Sequence, residues 1–163
     1  MQDLTHYIAA FSSLHTAKVR GVKAPHKAVL LLAVIDLVEE GSIVSQRIAL
    51  TDGLVQRFDR VWRRYVGCSE VFRPNIGQPF FHMQHEAFWR LVEHDEYEVL
   101  MVAEDSPHVE ACKETKELPT GSYSVRAMRE AFACAEMDGA LFRVLQDGNA
   151  RARLRVTLIS NYF

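Results

Sequence analysis

The sequence has no long apolar stretch and few cysteines. Its longest purely apolar run, residues 28–35, is far shorter than the roughly 20 residues that a membrane-spanning helix requires. The start of the chain, residues 1–4, lacks the basic and apolar regions of a secretory signal. Cys68, Cys112 and Cys134 are too widely spaced for a zinc site and are typical of reduced thiols. We therefore expect a cytoplasmic protein without a metal or another cofactor.

The sequence also lacks the basic excess that is common in nucleic-acid-binding domains. Its 163 residues include 19 Lys and Arg against 21 Asp and Glu, which gives a formal net charge of −2. This balance argues mildly against DNA binding. The charges are nevertheless uneven, because residues 18–27 contain three lysines or arginines before His26 and Lys27 but no carboxylate. Acidic residues concentrate in residues 93–117, so a basic face on an acidic molecule is possible.

An apolar segment near the N-terminus predicts a central helix. Pro25 can open a helix because its missing N–H costs little in the first turn, and Gly41 is suited to end one. Residues 28–38 are apolar on nearly every side of such a helix, which is typical of a helix enclosed by other elements. We expect the helix from Pro25 to about Glu40 to form the buried centre of the domain.

Further helices and a few short strands are predicted around this centre. Amphipathic spacing or a capping residue predicts helices over residues 4–14, 52–65, 122–136, 138–145 and 150–162. The suitable capping residues are Asp3 or Thr5, Thr51, and Ser122 or Ser124. Apolar and β-type residues predict strands or extended segments over 41–50, 80–84 and 97–101, with irregular connections over 16–24, 67–78 and 106–120. The sequence thus predicts one domain, residues 1–163, of the mainly α (α+β) class: a compact helical domain around a buried central helix with a few short β-strands.

The start of the central helix combines the features of an anion-binding site. Lys23, His26 and Lys27 lie beside the N–H groups that a helix leaves without acceptors at its N-terminus. Exposed amides, the positive end of the helix dipole and mobile cations together suit a phosphate. The alternative interpretation is that His26 and Lys27 belong to an ordinary solvated helix start.

A second segment, residues 72–84, mixes aromatic, proline, amide and imidazole side chains on an expected surface loop. Such a mixture is unusual at a surface that binds nothing, and it can form an apolar cup with polar rims. The alternative is that the phenylalanines belong to the core and that His82 is a structural histidine.

Together these segments resemble the DNA sulfur-binding domain family. The similarity rests on Ala24-Pro25-His26-Lys27 and the leucines after it, on Pro79-Phe80-Phe81-His82-Met83-Gln84 leading to Phe88-Trp89-Arg90-Leu91, and on the C-terminal residues 141–163. It spans nearly the whole chain. Domains of this family usually precede an HNH nuclease in type IV restriction proteins. They bind double-stranded DNA in which sulfur replaces a non-bridging phosphate oxygen.

The resemblance implies a binding site and assigns its residues. Sulfur is larger, more polarisable and more weakly hydrated than oxygen, so an apolar cup can prefer it while cations and amides hold the backbone. The implied sulfur pocket consists of His26, Lys27, Gln78, Pro79 and His82, with Pro79 as the apolar wall. The implied DNA contacts are Arg20, Lys23, Arg73 and Asn75.

The sequence departs from the family at two positions. Gln78 stands where relatives commonly have tyrosine, which removes one apolar wall and offers an amide that can read a base or a phosphate. Ala28 stands where they commonly have proline, a change that a helix tolerates well. We expect Gln78 to affect either the selectivity for sulfur or the DNA sequence that is preferred around the modified phosphate.

The sequence contains no complete catalytic site. Its seven histidines do not cluster with asparagine as an HNH centre requires. The resemblance therefore implies a non-enzymatic recognition module of a bacterial restriction system, with phosphorothioate DNA and a separate HNH nuclease domain as partners. One alternative is a metal-dependent nuclease that uses residues 110–116, whose Glu and Lys spacing is similar to a nuclease E-x-K element. Another is a protein-interaction module, although such a module has no need of the basic residues 18–27.

Overall fold

The computed structural model of the chain describes residues 3–100 and 114–163, apart from the side chain of Leu100. Three sequence features extend beyond this part of the chain. Met101, at the end of a predicted strand, lies outside the described residues. So do residues 110–113 of the nuclease-like element and the first part, 106–113, of the irregular connection predicted over residues 106–120.

Helices dominate the described residues, which confirms the mainly α (α+β) class. The eight helices found there are α1 (Leu4–Ser12), α2 (His26–Glu39), α3 (Asp52–Tyr65), α4 (Gly77–His82), α5 (His94–Leu100), α6 (Val125–Ala131), α7 (Gly139–Val144) and α8 (Gly148–Tyr162). The five strands are β1 (Lys18–Val19), β2 (Val22–Lys23), β3 (Arg47–Ile48), β4 (Trp89–Val92) and β5 (Cys134–Met137), and a 3-10 turn (Met83–His85) follows α4. None of the described helices has the length and apolar character needed to cross a membrane.

Helix α2 is the buried centre of the domain, as its composition predicts. Eleven of its 14 residues are buried, and α3, α4 and α8 pack against it. Full burial of one leucine or isoleucine side chain stabilises a fold by about 1.5–3 kcal/mol, so this helix supplies a large part of the core. Gly41 follows its end with a φ of 80°, the left-handed conformation that glycine adopts without strain.

A small antiparallel sheet closes one side of the core. Its strand order is β3-β5-β4, and every residue of β4 and β5 is buried. Glu136 of the central strand lies between two guanidinium groups, with Arg90 Nε at 2.9 Å and Arg47 Nε at 3.1 Å. Removing one partner of a buried ion pair costs about 3–5 kcal/mol, so these three side chains fix the register of the sheet.

The prediction of a strand over residues 80–84 is wrong, because this segment forms α4 and the 3-10 turn. The side-chain oxygen of Asn75 accepts a hydrogen bond of 3.0 Å from the N–H of Gly77 and so begins the helix. Pro79 then falls in the first turn, where no intrahelical N–H donor is required. A short apolar run such as Phe80-Phe81 does not distinguish a buried helix from a strand.

Three other predictions require correction. Residues 97–100 belong to α5 rather than to a strand, and acidic Asp95 and Glu96 in its first turn favour a helix start. The helix predicted to reach Glu136 ends at Ala131, because residues 134–137 pair with two other strands as β5. Residues 16–24, predicted to be a loop, contain the β1–β2 hairpin. Its two turn residues, Arg20 and Gly21, have φ values of 53° and 77°, as a tight hairpin turn requires.

The structure also decides between the alternative capping residues. Asp3 accepts from the N–H of His6 at the start of α1, and Ser124 accepts from the N–H of Ala127 at the start of α6. Thr51 caps α3 as predicted. The segment predicted over residues 41–50 to be a strand or extended contains one short strand, Arg47–Ile48.

Substitution of Gly77 tests the close packing at the start of α4. A Cβ atom on Gly77 would lie 1.7 Å from the backbone oxygen of Tyr123, so Gly77→Ala must displace one of the two segments. Overpacking of this kind costs about 1–3 kcal/mol, and we expect a loss of that size in the free energy of unfolding measured with urea. Gly53→Ala is the matched control, since a Cβ there meets nothing closer than 3.8 Å and alanine favours the helix. Equal stability of the two variants would contradict this account.

Candidate functional site

A cavity of about 550 Å³ lies between the start of α2, helix α4 and the segment that precedes β1. This volume is within the range of small-ligand sites. Its lining residues are His15, Thr16, Ala17, Ala24, His26, Lys27, Gln78, Pro79, His82 and His85. The two segments that the sequence singled out therefore meet at one cavity. All five residues of the implied sulfur pocket, His26, Lys27, Gln78, Pro79 and His82, border it.

Lys27 lies at the base of this cavity in a buried ion pair. Its Nζ atom is 2.7 Å from Oε2 of Glu86, and the two side chains are only 8% and 4% exposed. Such a short contact between buried charges is a strong, charge-assisted hydrogen bond. The charge of Lys27 is thus balanced within the protein.

Glu86 also holds the rim of the cavity. Its Oε2 accepts a hydrogen bond of 3.0 Å from the backbone N–H of His15, and its Oε1 is 3.1 Å from Nδ1 of the same residue. The sequence motifs include residues 79–84 before Glu86 and residues 88–91 after it, but Glu86 itself was not predicted to belong to the site. The available signal was a carboxylate among the apolar and aromatic residues 79–92, because a carboxylate buried there needs a cationic partner.

His26 is held in place at the N-terminus of α2. Its Nε2 is 2.8 Å from the backbone oxygen of Arg73, and its ring centre is 4.8 Å from that of Trp62. A carbonyl oxygen only accepts, so Nε2 carries the proton and Nδ1 of the neutral ring is an acceptor. Burial lowers the pKa of His26, although the bond to Arg73 opposes this shift. The neutral imidazole is the favoured form near pH 7.

His82 lies on α4 across the cavity from His26. Its Nε2 is 3.0 Å from the hydroxyl of Tyr123, and its ring stacks on that of His85 at 5.7 Å between centres. Burial lowers the pKa of His82, and the proximity of His85 and Lys27 lowers it further. The neutral imidazole of His82 and the ring of Pro79 give this side of the cavity a polarisable lining.

The basic β1–β2 hairpin stands at the rim of the cavity. Ala17 and Ala24 join its two ends through a backbone hydrogen bond of 2.8 Å, and both line the cavity. Arg20, at the turn of the hairpin, is exposed. The ammonium of Lys23 lies 5.2 Å from the centre of the Tyr162 ring, a distance typical of a cation–π contact. Two of the implied DNA contacts, Arg20 and Lys23, therefore flank the opening.

Arg73 and Asn75, the other two implied DNA contacts, are not among the cavity-lining residues. Arg73 is exposed and its guanidinium donates to the backbone oxygen of Ser69, while its own carbonyl accepts from His26. The side-chain oxygen of Asn75 is engaged at the start of α4. Both residues support the cavity by holding His26 and α4 in position.

The nuclease-like alternative gains little from the residues that the structure describes. In residues 3–100 and 114–163, no group of three or more His, Cys, Asp or Glu side chains is arranged to hold a metal ion. The element has two lysines, of which Lys113 lies outside the described residues. The other, Lys116, lies within 3.3 Å of three carboxylates, those of Glu93, Glu96 and Glu114. The pair with Glu96 ties it to α5, and the pair with Glu93 ties it to the residue before that helix.

No protein-family model matches the sequence, and no curated protein matches it significantly. The cavity, its charges and the hairpin beside it are therefore the observations that bear on function.

Acidification should destabilise the fold through His82. Because the pKa of His82 is below its ordinary value of 6.5, the unfolded chain takes up a proton at a higher pH than the folded chain. The stabilisation present above about pH 6.5 is then lost as the pH falls through the lowered pKa. We expect the free energy of unfolding, measured with urea, to fall more between about pH 7 and about pH 5.5 in the native sequence than in His82→Gln. Identical pH dependence of the two proteins would show that His82 is not the cause.

Proposed function

We propose that this chain binds double-stranded DNA that carries a phosphorothioate in its backbone and holds the sulfur in the cavity between α2 and α4. One observation supports this proposal above all others. The residues that the family resemblance assigns to sulfur recognition come from two separate segments and border a single cavity. The basic hairpin stands at the opening of that cavity.

The chemistry of the lining favours sulfur over oxygen. Pro79 is buried against the cavity, and Ala17 and Ala24 add aliphatic carbon to its wall. A phosphate oxygen that enters such a site gives up strong hydration, and this costs free energy unless new hydrogen bonds replace it. Sulfur is more weakly hydrated and more polarisable, so it loses less and gains dispersion contacts with the lining.

The surroundings of the cavity suit the rest of a DNA backbone. The N-terminus of α2, at His26 and Lys27, offers N–H groups without intrahelical acceptors and the positive end of a helix dipole. The exposed Lys18 and Arg20 of the hairpin are suited to neighbouring phosphates. Val19 and Val22 of the same hairpin are 40% and 54% exposed, and such side chains can contact sugars or thymine methyl groups in a groove.

In this proposal the chain recognises DNA and does not cleave it. It acts as the recognition module of a modification-dependent restriction system in the cytoplasm of a bacterium. Cleavage is supplied by an HNH nuclease domain, in a longer protein or in a partner chain.

A titration with matched duplexes tests the proposal. One duplex carries a single stereodefined phosphorothioate and the other has the same sequence without sulfur. We expect the chain to bind the modified duplex about a hundredfold more tightly, which corresponds to about 2.7 kcal/mol. Equal affinity for both duplexes would leave only a general DNA-binding protein. Absence of binding to either, at low salt, would favour a protein-interaction module instead.

Two variants separate sulfur recognition from backbone binding. Pro79→Ala should mainly reduce the preference for the modified duplex, because it removes part of the apolar wall. Arg20→Ala should weaken binding to both duplexes equally and lower the slope of log K against log salt by about 0.9, the effect of one lost phosphate contact. Arg153→Ala, at an exposed arginine of α8 that does not line the cavity, is the control and should leave both affinities unchanged. A folded Pro79→Ala that loses affinity equally for both duplexes would refute the assignment of the cavity.

A further inference from the structure

The cavity contains one permanent cation, and its charge is already balanced. Among the described residues that line the cavity, Lys27 is the only lysine and there is no arginine. Its partner Glu86 is buried behind it at 2.7 Å and is not part of the lining. An ammonium has three N–H donors, and this contact uses one. Lys27 can therefore still donate to a ligand although the pair as a whole has no net charge.

A neutral pair at the base of a buried site disfavours a strongly hydrated oxygen. A phosphate oxygen that enters the cavity loses its hydrogen bonds to water. An ammonium without a counter-ion would replace much of that lost interaction, because charge-assisted hydrogen bonds to oxygen are strong. Sulfur accepts hydrogen bonds more weakly and would gain less. Balancing the ammonium therefore penalises oxygen more than sulfur. Specificity of this kind arises from interactions that the wrong ligand fails to make.

We infer that Glu86 is a positioning residue that sets the selectivity of this cavity, by neutralising Lys27 and so weakening the binding of ordinary phosphate. The inference rests on the proposed function, because it concerns the choice between phosphorothioate and phosphate. Glu86 acts through Lys27 and has no contact with the ligand. The carboxylate has a second task at the same place, since it also fixes His15 at the rim.

Glu86→Gln tests this inference. Glutamine has nearly the shape of glutamate but no charge, so the ammonium of Lys27 is left unbalanced. We expect the variant to bind the unmodified duplex about tenfold more tightly, with a slope of log K against log salt that is steeper by about 0.9. The modified duplex should gain less affinity, so the preference for sulfur should shrink. A purely structural role of Glu86 would not change the salt dependence in this direction.

Glu136→Gln is the matched control. Glu136 is also a buried carboxylate between cations, with Arg90 and Arg47 as partners, but it lies in the sheet and does not line the cavity. Its loss should lower the free energy of unfolding without changing the preference or the salt slope. If Glu86→Gln behaved like Glu136→Gln, with an unchanged preference and salt slope, the inference would be overturned.

A double variant keeps the test decisive if Glu86→Gln fails to fold. Lys27→Met/Glu86→Gln removes both charges and leaves no unpaired buried ion, a replacement that proteins often tolerate. Because the pair is neutral, we expect the salt slope for the unmodified duplex to match that of the native sequence. A slope lower by about 0.9 would show that Lys27 acts as an unbalanced cation, and would contradict the role given to Glu86.

The outcomes also separate this inference from the proposed function. If the native protein binds both duplexes equally, the proposed function fails and the selectivity role fails with it. If the native protein prefers the modified duplex and a folded Glu86→Gln keeps the full preference and salt slope, only the role of Glu86 is refuted.

Discussion

The ion pair between Lys27 and Glu86 joins the parts of the molecule on which the cavity depends. Lys27 belongs to the first turn of the central helix, whereas Glu86 follows the 3-10 turn after α4. The same carboxylate accepts from His15, on the segment that leads into the basic hairpin. The carboxylate of Glu86 thus connects α2, the segment that follows α4 and the rim of the cavity. Since breaking a buried pair leaves an uncompensated charge at a cost of about 3–5 kcal/mol, the relative placement of these three segments is firmly fixed.

The fold was predictable where one element carries its own signal. Helix α2 has a composition that only a buried helix explains, and the start at Pro25 and the stop at Gly41 could be read directly from the sequence. Strand β5 could not be predicted in this way, because its residues 134–137 are acceptable in a helix and become a strand only by pairing with β3 and β4. Helix α4 was missed for another reason. It has only six residues, fewer than two turns, and is too short for periodicity to reveal.

The candidate site was predictable to a similar extent. His26, Lys27, Pro79 and His82 belong to segments whose local composition is unusual, and the structure places them around one cavity. Glu86 was not predicted, since its importance comes from a contact with a residue distant in the sequence. The same is true of His15 and His85, which line the cavity only because of how the chain packs. Their roles depend on the assembled structure, so the charge balance of the site became evident only there.

The central claim is that sulfur enters this cavity, and the most direct test is a structure of the complex with a duplex that carries one stereodefined phosphorothioate. Anomalous scattering locates the sulfur independently of the rest of the density. We expect the sulfur to lie in van der Waals contact with the ring of Pro79, at about 3.5–4 Å. The ammonium of Lys27 should face the sulfur, and Arg20 of the hairpin should contact the DNA backbone. Sulfur exposed to solvent, or DNA bound to another face such as the exposed arginines of α3, would contradict this claim.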